Sequence, residues 1–167
     1  MSIKEKLDLF IKNNFVDDKP LYSRAFGRAK VQEEYCFNEA PSVNDIDNYI
    51  DDELNDNKFQ KLLFKFIDDR NLKDSDVYNK AQIDRRLFSK IRSDENYHPS
   101  KETVIALASS LELSIHELEE LLESASYSLP KNNKFDLIIR FCFIEKIYDI
   151  MEINNLLHEY HCNLLTK

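Results

Sequence analysis

The chain has 167 residues, 43% of them hydrophobic, with one glycine, four prolines and a formal net charge of −8. That length suits one domain plus an appendage, and the apolar share supports a real core, while the scarcity of turn formers argues against a strand-rich fold. No apolar run reaches the ~20 residues needed to cross a bilayer, and the amino terminus lacks the apolar core of a secretory signal. The three cysteines, Cys36, Cys142 and Cys162, are odd in number and scattered, so a disulfide framework is excluded and a reduced, cytoplasmic protein is expected.

Helices are predicted along most of the chain. Ser2 and Glu5 form a capping-box pattern that opens a helix over 2–15, with Ile3, Leu7, Phe10 and Ile11 on one face. Residues 16–57 carry Pro20, Gly27 and Pro41 and read as a linker, with a short helix near 43–55. Within it, Arg24–Lys30 is a basic stretch, whereas residues 31–57 hold nine acidic groups and no basic one. Such an acidic run is commonly solvated, but it also suits a basic surface on a protein partner, or on this chain. From Lys58 the texture tightens. Phe59, Leu62, Leu63, Phe66 and Ile67 make a helical stripe over 58–70, with Asn71 as a left-handed stop. A short helix follows at 74–80, then one at 84–92. Another is expected at 101–111 after Pro99-Ser100, and one through about 124 after the Ser114/Glu117 box. The helix at 133–146 is apolar nearly all round, which makes it a candidate homodimer surface. A last helix starts at Asp149 and presents Ile153, Leu156 and Leu157.

The segment 82–93 is the most distinctive. At 100° per residue Ile83, Leu87, Phe88 and Ile91 share one arc, and Arg85, Arg86, Ser89 and Arg92 the opposite one, flanked by Lys90. Asp84 is placed to cap the helix. Residues 85–92 hold four cations and no acid, so an overall acidic chain still offers one local patch to a polyanion.

Residues 59–124 resemble the Cro/phage-repressor-type (Xre-like) helix-turn-helix proteins. The resemblance rests on Asn71-Leu72-Lys73-Asp74-Ser75-Asp76-Val77, on Gln82 to Ile91 without a gap, and on Pro99-Ser100 with Leu107 to Ser114. Ile83 to Ser93 and Lys134 to Arg140 look closer still to a bacterial group of such proteins, some of which are fused to macro domains. An all-α protein is expected, with an amino-terminal helix and acidic arm over 1–57 that the resemblance does not cover, and two extra helices over 126–167 packed on the five-helix core over 58–125 that the resemblance implies. The resemblance also implies a transcription regulator that reads double-stranded DNA in the major groove with helix 84–92. Arg85, Arg86 and Ser89 are then the candidate base readers, since arginine pairs with guanine O6 and N7. Lys90, Arg92, Lys80 and Lys101 are the candidate phosphate contacts. This sequence departs from the family at Lys73, where a small hydroxyl usually caps the second helix, and at the acidic loop Asp94-Glu95. Both departures leave open the alternative of a non-catalytic protein-interaction module, in a signalling or phage-defence system, that uses the same face.

Catalytic and metal signals are weak. No phosphate loop and no nucleophile with a partner base stands at a recognisable spacing, so no enzyme and no cofactor is expected. His158, His161 and Cys162 would share a face on a continuous helix, but no second ligand pair completes a zinc set. Tyr97 is the one loop aromatic singled out for ligand contact.

Overall fold

A computed structural model describes residues 2–16, 58–94 and 96–166. Among them are eight α-helices and no strand: α1 (Ile3–Asn14), α2 (Lys58–Asp69), α3 (Asp74–Lys80), α4 (Arg85–Ser93), α5 (Lys101–Ser110), α6 (Ile115–Ser124), α7 (Lys134–Ile144) and α8 (Ile150–Glu159). The expected linker and helix at 43–55, the basic stretch 24–30, the acidic run 31–57 and Glu95 lie outside the described residues.

Side-chain caps start most of these helices. In α1 and α6 the Ser2 and Ser114 hydroxyls accept from the N–H of Glu5 and Glu117, and the glutamates accept in return from the serine N–H groups. Asp84, Ser100, Asn133 and Asp149 cap α4, α5, α7 and α8 in the same sense. Each contact satisfies an amide that the helix itself leaves unpaired. Lys73, at the start of α3, makes no side-chain cap.

Six of the helices stop on a left-handed residue, of which the sequence announced only Asn71. Asn71, Gln82, Glu112, Ser126, Lys146 and His161 follow α2, α3, α5, α6, α7 and α8, and all are left-handed, with φ between 52 and 59°. In each case the next N–H reaches back to a carbonyl of the last turn, as Leu113 does to Ala108 at 3.1 Å and Ile147 to Cys142 at 2.8 Å. The residue making that bond is apolar every time: Leu72, Ile83, Leu113, Tyr127, Ile147 and Cys162. This is the Schellman stop, with its hydrophobic closure, built without glycine.

The core is continuous and draws on all eight helices, from Leu7 through Leu63, Val77, Ile91, Ile105, Leu121 and Ile139 to Leu157. Helix α5 lies against α3 and α6, α2 against α6, and α7 against α1, α6 and α8. Leu137, Ile138, Ile139, Phe141, Cys142 and Phe143 of α7 are all buried within the chain, with the Phe10 ring of α1 tilted against Phe141, centroids 5.6 Å apart. Helices α1, α6 and α8 thus cover within the chain the apolar face of 133–146 on which a homodimer was expected.

A buried ion pair holds α7 to α5. Asp136, 1% exposed, accepts from Lys101 Nζ at 2.5 Å. Burial raises its pKa beyond what the Lys101 hydrogen bond and charge pull back. One turn further along α7, Arg140 donates to the Leu129 carbonyl and pairs with Glu119 at 2.6 Å. Glu117 pairs with Arg70 at 2.8 Å. Burial pushes its pKa upward, but the bonds from Arg70 and Ser114 outweigh that and hold it below the usual value. Burial also pushes the Cys142 thiol up to about 12, so it is an inert core group.

Candidate functional site

Helix α4 owes its placement to three local devices. The first is the turn before it. Gln82 takes the left-handed conformation, Ile83 bonds its N–H to the Tyr78 carbonyl at 2.9 Å, and Asp84 Oδ1 accepts from Arg86 N at 2.6 Å. The second is an aromatic seat: Phe88 packs edge-on against Phe64 of α2, with centroids 6.1 Å apart, and against Tyr78 of α3 at 5.8 Å. The third is at the far end, where Gln60 of α2 donates Nε2 to the carbonyls of Ile91 and Arg92. Those carbonyls belong to the last turn, which has no intrahelical donors for them. The buried side of α4 is thus fixed at both ends and in the middle.

Its other side carries Arg85, Arg86, Ser89, Lys90, Arg92 and Ser93, all exposed. Arg85, Arg86, Ser89, Lys90, Ser93 and Asp94 line a shallow concavity of about 650 Å³. The cations on this face are not equivalent. Arg85 and Arg86 make no ion pair or ring contact among the described residues. Lys90 Nζ sits 4.7 Å above the centre of the Tyr97 ring, a contact worth ~0.5–1 kcal/mol on a surface. Arg92 is clamped: its guanidinium lies 4.2 Å from the centre of the Phe64 ring and bonds Asp74 Oδ1 at 2.6 Å. That clamp ties α4 to α2 and to the first turn of α3, a structural duty for a residue expected to touch phosphate.

The two outlying candidates are also occupied. Lys80 pairs with Glu112 at 2.5 Å, with about half its side chain still exposed. Lys101 is spent on buried Asp136 and does not belong to the α4 face. Ser89 projects between Arg85, four residues before it, and Arg86, three before it, the spacing that puts side chains on one helical face. Tyr97 supports Lys90, and the adjacent His98 is held away from the concavity by a 2.9 Å contact of Nε2 with the Ala125 carbonyl.

Sequence reasoning missed Gln60, Asp74 and Asp136 as partners. Only Asp136 carried a visible signal, being an acid inside the apolar run Phe135–Ile139, where a buried carboxylate demands a cation. Among the described residues no cluster of three or more metal-ligating side chains forms. Helix α8 ends at Glu159 and His161 is left-handed, so His158, His161 and Cys162 do not continue one helical face. No helix among the described residues is long and apolar enough to cross a membrane. Compared with protein-family models, curated proteins and solved structures, the chain gives no match.

Proposed function

We propose that this chain is a DNA-binding regulator of the helix-turn-helix type. Helices α2–α6 form the five-helix core in this reading, and α3 and α4 are the pair that docks on duplex DNA. Helix α4 lies in the major groove. The observation that carries the reading is the pair Arg85 and Arg86, outward, adjacent and without a carboxylate partner among the described residues, on a helix whose opposite side is locked by Phe88 and Gln60. A guanidinium free of its own chain keeps its donors for guanine edges or phosphates. Lys90 adds a phosphate contact beside them, since its ring contact with Tyr97 leaves the ammonium exposed.

The test is retention of fragments from a genomic library by the full chain at low salt. Arg85→Ala with Arg86→Ala abolishes retention and leaves helical content unchanged. Arg92→Ala lowers stability more than it lowers binding, because its partners are Phe64 and Asp74. Equal retention by the double variant and the native chain would remove the proposal.

A second reading is favoured by Asp84 and Asp94, which bracket the arginines with negative charge. Here the same face grips an acidic protein surface rather than DNA. Co-purification of one partner through Arg85 and Arg86, without DNA retention, selects it.

A further inference from the structure

We propose that Ser89 is a phosphoacceptor whose phosphate is held by Arg85 and Arg86 and switches the α4 face off. The inference rests on the reading of that face as a polyanion-binding surface. The Ser89 hydroxyl is exposed and lines the concavity with Arg85, Arg86 and Lys90. It makes no hydrogen bond among the described residues. Its helical neighbours one turn back are the two guanidinium groups that no acid occupies among the described residues.

The other serine in the concavity fits less well. Ser93 has Lys90 one turn back, and Lys90 already rests on Tyr97; Asp94 follows it directly and lines the same wall. The acids that cap α4, Asp84 and Asp94, each stand five residues from Ser89, and their Oδ1 atoms accept from the N–H groups of Arg86 and Asn96, whereas Asp94 is the immediate neighbour of Ser93. A phosphate added to Ser89 meets cations, and one added to Ser93 meets a carboxylate.

In the reaction, the Ser89 oxygen attacks the terminal phosphoryl group of a nucleoside triphosphate held by a protein kinase. The Oγ–P bond forms, the bond to the nucleoside diphosphate breaks, and the hydroxyl proton passes to the kinase's base. No redox change occurs. The product carries ~1.5–2 negative charges at neutral pH and three acceptor oxygens, which charge-assisted bonds from Arg85 and Arg86 satisfy. The face then drops from three available cations to about one, and both arginines are engaged where DNA would have been.

The experiment uses the full chain with phosphoserine installed at position 89. Phosphorus NMR reads the titration of the phosphate. Its midpoint falls below the ordinary value of about 6, and Arg85→Ala with Arg86→Ala brings it back. A midpoint that ignores the arginines overturns the phosphate seat, whether or not the unmodified chain binds DNA. Duplex binding is measured in parallel. Relative to the unmodified chain, phosphorylation weakens it at least tenfold and lowers the slope of log affinity against log salt by about two phosphate contacts. Undiminished binding by the phosphorylated chain overturns the switch, whereas failure of the unmodified chain to bind duplex points to the DNA reading instead. Mass spectrometry of the chain isolated from its native cells during growth and starvation shows phosphate on Ser89; its absence in both overturns the modification.

Discussion

At the scale of single residues, the chain repeatedly accepts a local conformational cost. Left-handed backbone disfavours a residue with a Cβ, and glycine is the usual occupant of a Schellman stop. Ser126 and Lys146 are exposed and hold such positions without side-chain bonds among the described residues. Ser126→Gly and Lys146→Gly are each expected to raise unfolding free energy by ~0.5–1 kcal/mol, read by denaturant titration. Unchanged or lowered stability would contradict the account of the stops. Lys101 gives the opposite case. Removing it strands Asp136 in the core, and losing one partner of a buried pair costs ~3–5 kcal/mol. Lys101→Ala therefore shifts the denaturation midpoint strongly, while DNA binding by the folded fraction stays as it was. Because Asp136 holds its proton more tightly folded than unfolded, its own contribution is greatest at low pH. It is lost as pH rises through the folded value.

At the scale of helices, the order and the starts of the eight described helices were legible in the sequence. Apolar spacing and the caps Ser2, Asp84, Ser100, Ser114 and Asp149 mark them, and those caps are local chemistry. Asn71 was legible as a stop, but the other five were hidden because left-handed glutamine, glutamate, serine, lysine and histidine carry no compositional sign; only the apolar residue that follows each one hints at them. The site was legible in part. Periodicity placed Arg85, Arg86, Ser89 and Lys90 on one exposed face, but it could not separate free cations from engaged ones. Arg92 meets Asp74 across eighteen positions and Lys101 meets Asp136 across thirty-five, and such pairings depend on tertiary packing. Helix α1 shows the same limit. It looked like part of an arm, yet it docks on α7 with Leu7 as its one buried side chain. Lys4–Glu159, Lys6–Glu145 and the bond of Tyr160 to Asp8 lie along its edges. Leu7→Ala removes ~2–5 kcal/mol of packing from a short terminal helix. Fast amide exchange across residues 3–14, with α4 unchanged, is the predicted result; protection retained in α1 would show that its edge pairs suffice.

For the molecule as a whole, charge is partitioned rather than averaged. The net charge of −8 conceals nine acids in 31–57, outside the described residues, and a cationic face on α4. Because α1 covers α7, any deletion that probes the acidic stretch has to spare residues 2–16. The core that unites eight helices gives α4 a rigid base, so its outward side chains need little ordering to bind. Among the described residues two cations on this face are without a partner and a third is nearly so. If the face docks on DNA as proposed, the salt dependence is shallow, set by few phosphate contacts.

The most direct test follows the side-chain Nε–H signals of the arginines while a duplex retained from the genomic library is added. Arg85 and Arg86 are predicted to shift together and saturate, while Arg70, Arg92 and Arg140, each held by an internal carboxylate, stay in place. Binding that moves other arginines and leaves Arg85 and Arg86 still would contradict the assignment of the α4 face.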